Sequence, residues 1–351
     1  MRVGLVAPPW VAVPPPEYGG TELVVAELAT GLQAAGVEVA LFATGDSTCP
    51  VPRRWHHARA LSTEYRPAPE LAHVEAAYRS LVDVDLVHDH TLLGPHWARK
   101  HRVPAPVVTT VHGPFLPRLA AHYRRLHQER VTIIGISWSQ AASAPPGVVD
   151  RVIHHGIAPD RYPLGAGDGG YLLFLGRMSD VKGPHRAIEV ARRAGLPIRL
   201  AAKVREPEEQ RFFHDVVEPL LGLDAVYLGE VAHADKVALL RGAIALLNPI
   251  RWAEPFGLVM IEAMACGTPV LAFPEGAATE LVAPGVSGFL CSDEADMVEA
   301  VHRAAGLDRT ACRAYVETGF STRRMVHDHL DLYRQLVTDP DATRASGAAA
   351  R

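Results

Sequence analysis

Short apolar runs alternate with longer amphipathic stretches along the chain, and the alternation restarts once, near residue 170. The runs predict strands at 2–7, 37–43, 85–89, 107–112 and 132–136, and then at 171–176, 198–203, 225–229, 243–248 and 269–273. Helices are predicted at 20–35, 182–194, 207–219, 233–242 and 257–265. Continuous apolar strands joined by helical crossovers are typical of parallel sheets covered on both faces. The pattern therefore predicts an α/β protein with two Rossmann-like, doubly wound parallel sheets.

The two series meet near 158–170, where Pro, Gly and Asp cluster without periodicity. We predict an N-terminal domain at 1–160, a C-terminal domain at 161–320, a helix at 321–337 that packs back on the N-terminal domain, and a flexible tail at 338–351. Gly165–Gly170 matches the G-x-G-x-x-G string of dinucleotide-binding loops, but it precedes a strand instead of following one. We interpret it as a flexible hinge. Ligands bind beyond the carboxyl ends of parallel strands, so the site is expected in the cleft between the domains.

Composition narrows the function classes. The 351 residues carry a net charge of -4 with the 18 histidines neutral, which gives no general attraction to nucleic acid. Four scattered cysteines indicate reduced thiols in a cytoplasm, and no run approaches the ~18 apolar residues of a membrane span. The basic amphipathic segment 118–130 is interpreted as a solvated helix face; the alternative is a weak peripheral contact with an anionic lipid surface or a phosphorylated acceptor.

The stretch 252–269, WAEPFGLVMIEAMACGTP, is the most informative. Gly257 lets a ligand approach the backbone, and the first turn of the following helix suits a phosphate. Glu254 precedes this turn and Glu262 lies about 8 Å along the helix axis, so each carboxylate can accept hydrogen bonds from hydroxyls on one side of the phosphates. This polarity matches a nucleotide sugar. The alternative is that the two glutamates are solvated or paired with arginines.

Cations follow the first two strands of the second half. Gly176-Arg177 ends one strand, Lys182-Gly183 opens the next helix, and Lys203, a weaker third candidate, ends the second strand. A cation at a helix N-terminus opposes the helix dipole unless an anion is bound there. Arg177 and Lys182 are therefore predicted to neutralise a leaving diphosphate in place of a metal ion; the alternative is two solvated cations.

The first half contributes two weaker features. Tyr18-Gly19-Gly20-Thr21-Glu22 follows the first strand and opens a helix, a geometry that suits phosphate or sugar oxygens, although Gly-Gly pairs also occur in plain turns. His112 ends its strand and is placed to donate to a sugar hydroxyl or to an oxygen near the reacting carbon; the alternative is a structural histidine.

No metal site is predicted. Asp83-Val84-Asp85 stands at the start of a strand, the wrong end for the cleft, so it is not interpreted as a manganese motif. The His88-Asp89-His90, His154-His155 and His327-Asp328-His329 strings lack the spacing of zinc ligands, and we expect no histidine cluster because alternate strand residues point to opposite faces.

Over about residues 1–335 the chain resembles the retaining nucleotide-sugar glycosyltransferases of the GT-B fold, glycosyltransferase family 4, and within it the bacterial branch with a Gly-Gly-Thr-Glu loop, here Gly19 to Glu22. The E-x7-E signature of the family matches Glu254 and Glu262, and its GR…KG element matches Gly176, Arg177, Lys182 and Gly183. The resemblance implies that Glu254 binds the donor sugar, Glu262 the ribose, and Arg177 with Lys182 the diphosphate. It further implies that His112 contacts the sugar near the anomeric carbon and that Gly20 approaches the phosphate, with backbone contacts to the donor from Phe256, Gly257, Leu258, Leu228, Gly229 and Val231.

The expected activity is retaining transfer of a hexosyl group from a UDP- or GDP-sugar, with UDP favoured, to a hydroxyl acceptor such as a natural-product oligosaccharide or a cell-envelope glycan. No cofactor besides the donor is expected, and the composition suggests a bacterial, GC-rich genome. A nucleotide-sugar epimerase and a non-catalytic nucleotide-sugar-binding protein are the alternatives. For retention we favour a front-face route, in which the leaving phosphate helps to deprotonate the acceptor; Asp89 is the alternative, as a nucleophile in a double displacement.

Overall fold

The computed structural model describes residues 1–17, 19–61 and 66–339. The chain forms two compact units. The first comprises Met1–Gly156 together with the chain from Thr322 onward, and the second comprises Ile157–Ser321. Each unit is built on its own parallel sheet.

The first unit contains a seven-stranded parallel sheet in the order β3-β2-β1-β4-β5-β6-β7. Its strands are β1 (Arg2–Val6), β2 (Glu38–Ala43), β3 (Arg53–Trp55), β4 (Leu86–Asp89), β5 (Val107–Thr110), β6 (Val131–Gly135) and β7 (Arg151–Val152). The helices between them are α1 (Gly20–Ala34), α2 (Pro67–Ser80), α3 (Gly94–Lys100), α4 (Ala120–Gln128) and α5 (Trp138–Ala142). The central strands are almost wholly buried, which explains their continuous apolar sequences.

The second unit contains a six-stranded parallel sheet in the order β10-β9-β8-β11-β12-β13. Its strands are β8 (Leu172–Arg177), β9 (Ile198–Lys203), β10 (Ala225–Gly229), β11 (Leu246–Asn248), β12 (Val270–Ala272) and β13 (Gly288–Leu290). The helices are α6 (Pro184–Arg193), α7 (Pro207–Phe212), α8 (His233–Gly242), α9 (Leu258–Ala265), α10 (Ala278–Leu281), α11 (Glu294–Ala304) and α12 (Arg309–Gly319). The predicted class, α/β with two doubly wound parallel sheets, is therefore confirmed.

One predicted helix is interrupted. The segment 207–219 is helical only over α7, and it continues as a π-helical turn at Phe213–Val217 and a 3-10 turn at Glu218–Leu220. Pro219 lies in that last turn. A proline has no N–H to donate and its ring collides with the carbonyl four residues earlier, so a regular α-helix cannot continue through it.

The last helix, α13 (Thr322–Thr338), belongs to the first unit although it follows the second in the chain. It packs on α1, where a Cβ on Gly31 would lie 2.5 Å from Val326 Cγ2. The Thr322 hydroxyl donates to Glu27 Oε2 at 2.6 Å. Glycine at position 31 therefore permits the close approach of the two helices.

The Gly-rich segment 165–170 is ordered and packs on the second unit. The backbone N–H groups of Gly165, Gly167 and Gly169 donate to carbonyls of Cys266, Arg241 and Gly242 at 2.9–3.0 Å. A Cβ on Gly165 would lie 2.3 Å from the Arg241 oxygen, so the backbone runs in direct contact with its neighbour. The composition predicted a flexible hinge here, and that prediction is wrong because the glycines serve close packing.

The basic segment 118–130 forms a short 3-10 turn and α4, with Tyr123 and Leu126 buried. Arg118, Arg124 and Arg125 are exposed, and Arg125 pairs with Glu129 at 2.8 Å. Within the described residues, no helix combines the length and apolarity needed to cross a membrane.

Candidate functional site

Most of the candidate residues lie in the second unit, where consecutive strands of its sheet end. Arg177 is the last residue of β8 and Lys203 the last of β9, while β11, the other neighbour of β8, leads into 252–258. The Arg251 N–H donates to the Val181 carbonyl at 3.0 Å. Gly183 has φ +74°, and a Cβ there would lie 2.5 Å from the Pro249 oxygen. The fold thus brings the 176–183 and 252–262 segments together, side by side.

Lys182 and Glu254 form an ion pair. Lys182 Nζ lies 2.5 Å from Glu254 Oε2, with the two side chains only 11% and 15% exposed. The ammonium also lies 5.6 Å from the ring centre of Trp252. Burial lowers the pKa of Lys182, and the Glu254 carboxylate partly opposes that shift. Sequence reasoning assigned these residues to different parts of a ligand; in the structure each is the other's partner.

The position of Lys182 also differs slightly from prediction. It ends a 3-10 turn at Asp180–Lys182, and α6 begins at Pro184 after Gly183 in the left-handed conformation. Lys182 therefore does not occupy the first turn of the helix, and a direct conflict with the helix dipole is avoided.

Acidic residues that the sequence did not single out accompany the other two cations. Arg177 lies 3.5 Å from Glu209 Oε1, and Lys203 Nζ donates to Glu206 Oε1 at 3.1 Å. Glu206 and Glu209 form the capping box of α7, so their positions are fixed by the helix start. The E-x-x-E spacing before a helix is the signal that would have revealed them.

Glu262 is 2% exposed and is held at one oxygen. Its Oε1 accepts hydrogen bonds from the Tyr162 hydroxyl at 2.8 Å and from Lys236 Nζ at 2.6 Å. The sequence alternative was pairing with arginines; the observed partner is a lysine on α8 and a tyrosine. Neither Tyr162 nor Lys236 was identified from sequence, because no local spacing links them to α9.

The start of α9 is shaped by two glycines. Gly257 caps the helix with φ +92°, a conformation that favours glycine, and Leu258 is its first residue, while Phe256 is buried. Gly276 has φ +57°, and a Cβ there would lie 2.3 Å from the Glu254 backbone nitrogen. The Ala277 N–H donates to the Glu254 carbonyl at 2.9 Å. The backbone that carries Glu254 is thus fixed by the loop after β12, which sequence reasoning missed.

The segment 228–231 lies at the end of the edge strand β10. Pairing with β9 jumps from Tyr227 to Gly229, so Leu228 is bulged out and is 39% exposed. Gly229 has φ +77°, and Val231 is half-buried in the turn before α8. A bulge at a strand end redirects the backbone, which suits a segment that contacts a ligand through main-chain groups.

In the first unit, Gly20 and Thr21 open α1, and Gly19 caps it. A Cβ on Gly19 would lie 2.6 Å from Pro15 Cβ, so the loop is closely packed. Tyr18 lies outside the described residues. Burial raises the pKa of the adjacent Glu22 to about 7.

His112 lies two residues beyond β5 and belongs to a group of five rings, which we call the histidine cluster: His88, His90, His112, His155 and His329. Neighbouring ring centres are 4.1–5.5 Å apart. The expectation of no histidine cluster is therefore wrong, because His88 and His90 are two residues apart and share a face. Burial lowers the pKa of every member, that of His112 to about 3 and that of His329 to about 4.

Within the cluster, both ring nitrogens of His88 contact hydroxyl groups. His88 Nδ1 lies 2.6 Å from the Tyr333 hydroxyl on α13 and its Nε2 lies 2.8 Å from the Thr110 hydroxyl. Among the described residues, no group of three or more His, Cys, Asp or Glu side chains has an arrangement that could hold a metal ion.

Asp89 is fully buried and fully engaged. Its Oδ1 accepts from the Thr91 N–H and hydroxyl, each at 2.7 Å, and its Oδ2 accepts from the Tyr78 hydroxyl at 2.8 Å. Burial raises its pKa to about 7. These contacts give Asp89 a structural role at the end of β4. The Asp83 and Asp85 carboxylates bind Arg2 at the opposite end of the strands.

Comparison with known proteins agrees with this architecture. Residues 18–161 match the family described as Glycosyltransferase Family 4, and residues 161–317 match Glycosyl transferases group 1. A phosphatidyl-myo-inositol mannosyltransferase of Mycolicibacterium smegmatis is 28% identical over 84% of this chain and 82% of its own.

Two solved structures resemble the whole chain. AviGT4, a glycosyltransferase involved in avilamycin A biosynthesis, has a TM-score of 0.74 and 25% identity, over 97% of this chain and 98% of its own. Anabaena HepE, solved in complex with UDP and glucose, has a TM-score of 0.74 and 18% identity, over 96% and 100% of the two chains. With its two parallel-sheet units and both halves matched by adjoining family models, the chain belongs to the glycosyltransferases of the GT-B fold and the family 4 type.

Proposed function

We propose that the protein is a retaining glycosyltransferase that moves a hexosyl group from a nucleotide diphosphate sugar to a hydroxyl acceptor. UDP is favoured as the nucleotide, because HepE was solved with UDP and glucose. A natural-product oligosaccharide or a cell-envelope glycan is the proposed acceptor, in line with the avilamycin enzyme and the mannosyltransferase among the similar proteins.

The observation that carries this proposal is the charge arrangement around the start of α9. Two carboxylates are each paired with a lysine: Glu254 precedes α9, and Glu262 lies in its second turn. A third cation, Arg177, ends β8, the sheet neighbour of the strand that leads into α9. A diphosphate fits between the carboxylates because Arg177, Lys182 and the helix dipole attract it, while both acids repel it. Hydroxyls fit the outer positions, since carboxylates accept hydrogen bonds.

For each end of the donor we propose one carboxylate that accepts hydrogen bonds from its hydroxyls. Glu262 keeps Oε1 engaged by Tyr162 and Lys236, and Oε2 is available for a ribose hydroxyl. Glu254 is proposed to receive the hydroxyls of the sugar when Lys182 turns to the diphosphate. Backbone groups at 256–258 and 228–231 are proposed to contact donor oxygens and the base. The loop at Gly19 and Gly20 is proposed to approach the phosphate, with His112 beside the sugar and Lys203 in a supporting role.

In the proposed reaction the bond between the anomeric carbon and the diphosphate oxygen breaks as the acceptor oxygen bonds to the same face of that carbon. The acceptor proton passes to the departing diphosphate. Arg177, Lys182 and the α9 dipole stabilise the negative charge on the leaving group, which is the role that a metal ion would otherwise fill. The buried, fully hydrogen-bonded Asp89 favours this front-face route over a double displacement.

The test is a panel of UDP- and GDP-sugars, with calorimetry for binding, nucleotide release measured with and without hydroxyl acceptors, and NMR of the product anomers. We expect saturable binding of one donor, nucleotide release stimulated by an acceptor, and an α-linked product from an α-linked donor. Sugar rearrangement without an acceptor would show an epimerase, and binding without turnover would show a binding protein. An inverted anomer would refute retention.

A further inference from the structure

The contact between His90 and His112 fixes a side chain on which the proposed function depends. His90 follows β4 and His112 follows β5, its hydrogen-bonded neighbour in the sheet. His90 Nδ1 lies 2.9 Å from His112 Nε2. On its other side the His112 ring stacks on His155, with centres 5.3 Å apart and planes 24° apart. His112 is thus held both by a hydrogen bond and by stacking.

Burial favours the neutral form of both rings. Burial lowers the pKa of His112 to about 3 and holds the pKa of His90 well below its usual value. A hydrogen bond between two neutral imidazoles needs one N–H and one lone pair, so the tautomer of either ring dictates that of the other.

Two arrangements are possible: His90 Nδ1 donates to His112 Nε2, or His112 Nε2 donates to His90 Nδ1. The other ring nitrogen of His90, Nε2, decides between them. His90 is 6% exposed, and its Nε2 is buried with no hydrogen-bond partner among the described residues. A buried N–H without a partner costs more than a buried lone pair without one, and orphaned donors are the rarer case. The proton of His90 therefore belongs on Nδ1, from which it is donated to His112 Nε2. His112 must then carry its own proton on Nδ1.

We propose that His90 is a positioning residue that selects the Nδ1-protonated form of His112 and thereby turns His112 into a fixed hydrogen-bond donor. Resting on the proposed function, this makes His112 a donor to an oxygen of the transferred sugar and not a base that accepts the acceptor's proton. The arrangement therefore selects nucleotide sugars that place an oxygen where it can accept a hydrogen bond from His112 Nδ1.

The first experiment needs no ligand. Long-range ¹H–¹⁵N correlation NMR of the full-length protein, with His112 assigned from His112→Gln, reports which ring nitrogen carries the proton. We expect an Nδ1-protonated His112 in the wild type, an Nε2-protonated population in His90→Leu, and the wild-type form again in His90→Asn, since the Asn amide can donate from the position of Nδ1. An Nε2-protonated His112 in the wild type would overturn the proposal.

Binding tests the functional half. Dissociation constants are measured by calorimetry for UDP-glucose against UDP and for GDP-mannose against GDP. In the pair where the wild type prefers the sugar nucleotide, we expect His90→Leu to reduce that preference about tenfold, with binding of the plain nucleotide unchanged, and His90→Asn to restore most of it.

A matched control separates positioning from stability. His73 is another buried histidine of the same unit; it is hydrogen-bonded to the Ala7 carbonyl at 3.0 Å and lies outside the histidine cluster. His73→Leu is expected to lower the melting temperature as His90→Leu does, without changing the His112 tautomer or the sugar preference. Equal changes in the His112 tautomer and in the sugar preference in both variants would overturn the proposal.

The failure of this inference is distinct from a failure of the proposed function. If His112→Ala loses the sugar preference while His90→Leu changes neither preference nor tautomer, the role of His90 is refuted and the proposed function stands. If no nucleotide sugar binds more tightly than its nucleotide, the sugar contact is refuted, and NMR still decides whether His90 sets the tautomer.

Discussion

The Lys182–Glu254 pair makes an unusual prediction about nucleotide binding. A nucleotide diphosphate without a sugar can take Lys182 only by leaving the Glu254 carboxylate without its partner. A nucleotide sugar supplies hydroxyls to that carboxylate at the same time. Replacing Glu254 by Gln, which keeps the shape and removes the charge, should therefore strengthen the binding of UDP and weaken the preference for UDP-glucose.

The size of the effect follows from the burial of the pair. The side chains are 11% and 15% exposed and their atoms are 2.5 Å apart, so the pair is closer to a buried than to a surface ion pair. A hydrogen bond between charged groups contributes about 1.5–3 kcal/mol net, and residual solvent exposure argues for the lower end. In Glu254→Gln, UDP no longer has to break this ion pair to reach Lys182. A gain of about 1.4 kcal/mol in binding free energy corresponds to about tenfold tighter binding of UDP. The loss of the hydroxyl contacts should lower the ratio of UDP-glucose to UDP affinity by at least about tenfold.

Isothermal titration calorimetry of UDP and of UDP-glucose with the wild type and Glu254→Gln measures both numbers. Glu299→Gln removes the same charge from an exposed glutamate on α11 that is not a candidate site residue, and it should change neither affinity. If Glu254→Gln binds UDP with unchanged or lower affinity, the competition between carboxylate and diphosphate for Lys182 is refuted.

Three further outcomes are expected. Tyr162→Phe removes one of the two hydrogen bonds to Glu262, so UDP affinity should fall by about two- to tenfold and the melting temperature by about 2–4 °C; calorimetry and thermal denaturation test this, and unchanged affinity would contradict the ribose assignment. Gly276→Ala forces a Cβ against the Glu254 backbone and should abolish most donor-dependent turnover with the fold retained, as judged by circular dichroism; normal turnover would show that Glu254 need not be held there. Burial lowers the pKa of the five histidines of the cluster, so at each of them the unfolded chain binds more protons below pH 6.5 and stability falls by about 1.4 kcal/mol per pH unit as the pH drops from 6.5 toward 4. Burial raises the pKa of Glu22 and Asp89 to about 7, and these two carboxyls act in the opposite direction over the same range, so the five histidines should prevail with a smaller net slope. Urea unfolding at pH 7, 6 and 5 measures that slope, and stability that rises as the pH falls would refute burial of the histidines in the neutral form.

Sequence patterns predicted the features that depend on residues close together in the chain, namely most strands and the ends of α9. Apolar runs located ten of the strands in the described residues, and the glycines at 257 and 267 bounded α9 because left-handed residues favour glycine. The strands β3, β7 and β13 were missed. The equally short β11 and β12 lie inside longer apolar runs at 243–248 and 269–273, whereas β3 and β7 contain arginines and β13 has only three residues.

The side chains that contact each candidate site residue could not be predicted in the same way. Lys236 lies 26 residues before Glu262 on another helix, and their contact depends on how α8 and α9 pack. The histidine cluster gathers rings from β4 and the residue after it, from after β5 and β7, and from α13, so no sequence window contains it. Side-chain pairs of this kind are set by tertiary packing, which a single sequence shows only through resemblance.

The placement of α13 has a consequence for biosynthesis. When the first 156 residues have left the ribosome, the nascent chain holds every strand of its sheet but lacks the helix that covers Gly31 and binds His88. That helix is made only after Ser321, so at ~5–20 residues per second the unit stays incomplete for roughly ten to thirty seconds. The apolar face of α1 is exposed to chaperones and to other chains throughout that interval, and messages truncated before codon 322 should yield aggregated protein.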